Sequence, residues 1–106
     1  MTADTLVKIG LTDRDLETLH DLFNKFPTIT EVYIFGSRVR GNYTHGCDID
    51  LAIMNPIEDT NTIHRIITLF QDSSLPYFVD LLYFPAIKNV ALKNNILIFG
   101  LPIFRK

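Results

Sequence analysis

The chain is short of the residues that mark several protein classes. It has one cysteine, Cys47, among 106 residues. A lone thiol closes no intramolecular disulfide and builds no cysteine zinc site, so a reducing compartment is expected. Neither sign of charge dominates: ten Lys and Arg stand against twelve Asp and Glu, for a formal net charge of −2. A mildly acidic chain lacks the basic surface that broad nucleic-acid binding requires. No apolar run approaches the roughly 20 residues that span a bilayer. Residues 1–10 show no basic stretch followed by a long apolar one, so no secretory signal is read there. These absences predict a soluble, cytoplasmic protein with no membrane partner. There is no internal repeat and no low-complexity tract, and residues 1–106 read as a single domain.

Against these absences stands a hydrophobic content of 47%, too high for a disordered tail and sufficient for a modest core. Thr12 followed by Asp15 resembles a capping box, with Asp in place of the usual Glu. Leu16, Leu19, Leu22, Phe23 and Phe26 recur at helical spacing until Pro27. Val32 to Phe35 is β-branched or aromatic throughout and predicts a strand buried on both faces, ended by Gly36. Residues 37–40 fit one helical turn closed by Gly41, and Asn42 to Gly46 a loop.

A second strand is expected from about Cys47 to Met54, with Asp48 and Asp50 on one face and Cys47, Ile49, Leu51 and Ile53 on the other. Thr60 to Asp72 predicts an amphipathic helix, and Tyr77 to Tyr83 a third strand with Asp80 at its centre. A last helix is placed at Ala86 to Ile98, with Gly100 as its stop. Leu101 to Phe104 then forms a short strand that Pro102 confines to a sheet edge. The expected fold is α/β of the α+β kind: a mixed four-stranded sheet with helices packed on it.

Three features carry chemistry in combination. Gly36-Ser37 ends a strand, and alone it reads as an ordinary turn. It also suits a phosphate, because glycine admits close approach to the backbone and the serine hydroxyl adds a donor. Asp48 and Asp50 could be the solvated face of a half-exposed strand. Yet Asp is disfavoured in strands. Two carboxylates roughly 6–7 Å apart along one face also suit magnesium ions about 3.5–4 Å apart in a phosphoryl-transfer site. Asp80 interrupts an apolar run, which calls for a salt bridge, an exposed edge, or a metal shared with the other two.

Gly36-Ser37, ten residues, and then Asp48-Ile49-Asp50 resembles the signature of the DNA polymerase beta-like nucleotidyltransferases. Asp80 in Val79-Asp80-Leu81-Leu82 matches that family's third carboxylate. Within that superfamily the chain resembles the minimal nucleotidyltransferases, or MNT proteins, which are often antitoxins paired with HEPN proteins.

The resemblance implies roles for particular residues. Gly36 and Ser37 would hold the triphosphate of ATP. Asp48, Asp50 and Asp80 would bind two magnesium ions, with Asp80 nearest the acceptor hydroxyl. Arg38 and Arg40 would neutralise phosphate charge; solvated turn residues are the plainer account of both. The partner it implies is a helical-bundle HEPN toxin, and the reaction transfer of AMP to a tyrosine of that toxin. An alternative of another class is a binding module that neutralises its partner by occlusion.

Cys47 departs from the serine usual before the first Asp; its parity with Ile49 and Leu51 predicts a small buried residue. His45 reads as a solvated loop residue near the site, and His20 and His64 as helix residues without a role. Leu75, Tyr77, Tyr83, Phe84 and the Leu101–Phe104 tail are the expected exposed apolar contacts for a partner. The oligomeric state is left open, a homo-oligomer included. A phosphoacceptor receiver domain also uses strand aspartates and magnesium. Its order is different, opening on a strand with an acidic pair at its end.

Overall fold

The computed structural model describes residues 1–41 and 47–106. The described elements are α1 (Ala3–Lys8), α2 (Asp13–Asn24), β1 (Glu31–Phe35), α3 (Ser37–Arg40), β2 (Ile49–Ile53), α4 (Asn61–Gln71), β3 (Val79–Tyr83), α5 (Val90–Phe99) and β4 (Leu101–Arg105), with a 3-10 turn at Phe84–Ala86. The expected loop at Asn42–Gly46, and with it His45, lies outside the described residues.

The four strands form one mixed sheet in the order β3-β2-β1-β4. β1 runs antiparallel to β2 and β4, while β2 and β3 are parallel. β1 is central, and its apolar run is covered on both sides. Val32 and Ile34 face α2 and α4 in the main core, while Tyr33 and Phe35 face α5. Pro102 lies on edge strand β4, where its missing N–H breaks no inner ladder. A register shift between β1 and β4 skips Ile103, and Ile103 and Phe104 are both buried in the same core as a result.

α2 begins at the Thr12 capping box. The Thr12 hydroxyl accepts from the Asp15 amide at 3.1 Å, and the Asp15 carboxylate accepts from the Thr12 amide at 3.0 Å. Its Phe23 ring meets Phe70 of α4 edge-on at 5.5 Å, which locks the two helices together over the sheet. His20, given no role from sequence, donates from Nε2 to the Ile103 carbonyl at 2.6 Å and ties β4 to this helix. Asn55 holds the other end of the sheet. Its amide oxygen accepts from the Thr30 and Glu31 amides, and its nitrogen donates to the Thr28 carbonyl.

Three expectations need correction. A helix, α1, precedes the one expected first; Thr2 caps it and Leu6 is its buried residue. Its six residues are too few to show helical periodicity. The last helix starts at Val90, because Pro85 sits in a 3-10 turn and the Asn89 side chain caps the Leu92 amide. Gly100 ends that helix with φ −63° and ψ 148°, so no left-handed cap is made. Glycine is needed because a Cβ would collide with the Ile96 carbonyl and come within 3.1 Å of the Tyr33 ring.

The exposed apolar residues are also not those expected from sequence. Tyr77, Tyr83 and Leu75 are half-buried against the main core, and Ile103 and Phe104 are inside it. The exposed ones are instead Phe78 (83%) just ahead of β3, Val7 (75%) on α1, Met1, and Val90 (68%), Leu97, Ile98 (70%) and Phe99 on α5. No helix among the described residues is long and apolar enough to cross a membrane.

Thr12→Ala removes one half of a reciprocal cap. It should cost about 1 kcal/mol of folding stability, read as a lowered denaturant midpoint at unchanged m-value. An unchanged midpoint would show that the α2 terminus does not limit stability.

Candidate functional site

The site is built where β1 ends. Phe35 pairs with Asp50 across the antiparallel ladder, so Gly36 follows directly beside that carboxylate. Gly36 has φ 83° and ψ −153°, a region essentially closed to other residues. A Cβ on Gly36 would also collide with Oδ2 of Asp50 and sit 3.2 Å from its Cγ. The glycine is thus required both by its dihedral angles and by the acid packed against it. Ser37 opens α3, with its hydroxyl 3.9 Å from the Cys47 sulfur.

Asp50 and Asp80 are register partners in the parallel pair β2–β3. Partners in neighbouring strands project from the same sheet face. Here that is the face of Ala52 and Leu82, the side on which α5 packs. Asp50 is half-buried, and Asp80 is exposed because β3 is an edge strand. The apolar run around Asp80 therefore does not mark a buried charge. Its neighbours Val79 and Leu81 are turned to the core on the other face.

Asp48 lies one residue ahead of β2 and is exposed. The carboxyl of Asp50 is held above its ordinary range, first by burial, then by the charges of Asp80 and of Asp48, with Arg38 opposing. Both other aspartates are thus close enough for Asp50 to feel their charge.

Among the described residues, no three His, Cys, Asp or Glu side chains are gathered into a cluster able to hold a metal ion alone. The donor set nevertheless fits magnesium. It is all oxygen, and the mutual repulsion at Asp50 is what a bound cation would relieve. Magnesium keeps several waters and is commonly shared between one or two carboxylates and substrate phosphates. The residues suit a cation held jointly with a phosphate ligand, not one caged by protein.

The two arginines part company. Arg40 is exposed at the end of α3. Arg38 is only 2% exposed, and its guanidinium turns inward. It donates to the carbonyls of Ile9, Gly10, Cys47 and Asp48, under the ring of Tyr77. The phosphate contact expected of Arg38 is not where this side chain points.

Cys47 also differs from expectation. It precedes β2, so strand parity does not govern it; it is half-buried and faces Ser37. Sequence periodicity gave no sign of Tyr77 over Arg38, because that contact joins segments distant along the chain. A cavity of about 340 Å³ lined by Phe70, Leu75, Tyr77 and Val79 opens on the opposite, helical face and includes none of the three aspartates.

Fold and carboxylate arrangement together define a domain of the nucleotidyltransferase class. The family described as polymerase beta, nucleotidyltransferase, matches residues 17–106, and the chain belongs to it. Solved structures of toxin–antitoxin complexes share the fold. One, with AMP-PNP, matches at TM-score 0.68 and 20% identity over 87% of this chain and 74% of the other. The MntA-HepT complex matches at TM-score 0.64 and 18% identity over 90% and 74%. The tri-AMPylated HEPN toxin of Shewanella oneidensis in complex with MNT antitoxin matches at TM-score 0.61 and 19% identity over 86% and 70%. Comparison with curated proteins finds no match.

Gly36→Ala should cost about 1–3 kcal/mol for the strained dihedral and displace Asp50. Denaturation would show the loss, and an unchanged midpoint would mean the turn relaxes freely.

Asp50 yields a second expectation. Its folded pKa lies above the ordinary 3.8, so stability is lost as pH rises through the interval between the unfolded and folded values. At pH 7 in chelator, Asp50→Asn should melt at or above wild type, and the difference should close as pH falls below about 4. A mutant clearly less stable than wild type would instead make Asp50 a stabilising partner of Arg38.

Proposed function

We propose that this chain is a magnesium-dependent nucleotidyltransferase that moves AMP from ATP onto a tyrosine hydroxyl of a HEPN-type toxin and so acts as its antitoxin. The observation that carries the reading is the Asp50–Asp80 register pair set against the glycine turn at Gly36. The nucleotide and the acceptor are suggested by the AMP-PNP complex and the tri-AMPylated toxin among structures of the same fold.

Asp48, Asp50 and Asp80 would hold two magnesium ions, which when bound stabilise charge on the attacking and leaving oxygens. Gly36 lets the triphosphate approach the backbone, and the Ser37 hydroxyl donates to a phosphate oxygen. Arg40, exposed at the end of the same turn, offsets phosphate charge. Asp80, at the open edge of the sheet, faces the acceptor and takes its hydroxyl proton. The acceptor oxygen bonds to the α-phosphorus as the bond to the bridging oxygen breaks, and pyrophosphate leaves.

A non-catalytic reading draws on a different observation. Val90, Leu97 and Ile98 give α5 an exposed apolar face that could cover a partner without any chemistry.

Intact mass of the partner separates the two. Incubation with this chain, ATP and magnesium should add an AMP group to the toxin. Asp48→Asn or Asp50→Asn should slow that labelling about a hundredfold or more while the fold is retained. Undiminished labelling by either variant would contradict the transferase reading, and lost labelling with retained neutralisation would favour occlusion.

A further inference from the structure

Arg38 is a buried cation with no need to be one on packing grounds. Taking a guanidinium out of water is costly, and an apolar side chain would fill the space more cheaply. Four of its five N–H donors are spent on main-chain carbonyls. Nη1 donates to Ile9 and Gly10 at 3.0 and 3.2 Å, Nη2 to Cys47 at 2.6 Å, and Nε to Asp48 at 3.3 Å. The Tyr77 ring covers the charge, 4.5 Å from its centroid to Cζ.

The segments joined in this way are the ones that bear the site. Arg38 follows Ser37 on the same turn. Asp48 stands outside β2, so no strand residue position holds it; β2 begins at Ile49, whose amide bonds the Phe78 carbonyl. Tyr77 leads into β3 and Asp80. The turn between α1 and α2, through Ile9 and Gly10, forms the fixed wall against which the guanidinium is braced.

We propose that Arg38 is a positioning residue: a buried clamp that sets the segment carrying Asp48 against the Ser37 turn and the approach to Asp80, without touching the nucleotide. The inference rests on the transferase reading for its kinetic consequence, but not for the clamp itself. Arginine suits the task because its planar fork satisfies several carbonyls in fixed directions, which a lysine ammonium does not. Misplacement of a reacting group by about 1 Å costs on the order of a hundredfold in rate.

The test compares wild type, Arg38→Lys and Tyr77→Leu by steady-state labelling and by amide hydrogen exchange, well below the melting temperature of each. Arg38→Lys should lower kcat about a hundredfold with KM for magnesium-ATP within about threefold of wild type. Tyr77→Leu, which leaves the hydrogen bonds in place, should show a smaller fall of the same kind. In Arg38→Lys, amides at residues 9–11 and 47–50 should exchange at least about tenfold faster, with β1 unchanged. A rise in KM at constant kcat would make Arg38 a phosphate ligand and overturn the proposal. Unchanged kcat, or faster exchange spread evenly over the sheet, would reduce it to a core residue and overturn it as well. If wild type labels no acceptor, the transferase reading fails by itself, and the exchange pattern still decides whether Arg38 clamps these segments. Should Arg38→Lys not fold, Tyr77→Leu carries both readouts: wild-type kcat together with unchanged local exchange would overturn the clamp.

Discussion

The parallel pairing of β2 with β3 is the constraint on which the arrangement depends. Ile49, Leu51 and Ile53 on one strand, and Val79, Leu81 and Tyr83 on the other, point into the helical core. That burial sets the register, because a slip of one residue would turn each apolar side chain to the wrong face. The same register puts Asp50 beside Asp80. The carboxylate pair is therefore held by hydrophobic packing on the far side of the sheet, and no interaction between the acids themselves is needed to hold it.

The two faces of the sheet are covered unequally. α2 and α4 close the helical face over a core that includes Phe23, Ile34, Leu51 and Ile66. The other face has a smaller cluster, in which Ile96 of α5 meets Phe35 and Ala52. The acids stand on this thinly covered side, with Asp48 and Asp80 exposed. Such openness leaves both of these carboxylates reachable from solvent. α5 is apolar on its outer side as well as its inner one, which is unusual for a helix facing solvent.

Charge is managed differently in the two polar regions. Asp50 is raised by burial and by its acidic neighbours, a standing repulsion in the absence of a cation. Arg38, twelve residues earlier on the adjoining turn, donates to four main-chain carbonyls and lies against a tyrosine ring, which hold it still. The first group stands in repulsion with its neighbours. The second is already satisfied, which is why it orders the backbone around it.

Much of this was legible locally. The Thr12–Asp15 cap, the apolar spacing of α2 and α4, the wholly apolar β1, and Pro102 on an edge strand follow from short-range chemistry: side chains bonding nearby amides, periods of 3.6 and 2, and a missing N–H. The Gly36-Ser37 turn and the Asp48-Ile49-Asp50 pair pointed to a family through their resemblance to its signature, while the chemistry of each alone left plainer readings open. The three-dimensional packing decided the rest. Whether Asp80 was buried depended on which strand became the edge. Arg38 looked like Arg40 in sequence, yet one turned to four carbonyls and the other to solvent. Cys47 fell ahead of the strand and met Ser37, and the exposed apolar surface moved to α5. Each of these outcomes depends on contacts between segments distant along the chain, and local periodicity is blind to them because it reports how a side chain repeats and not what it meets.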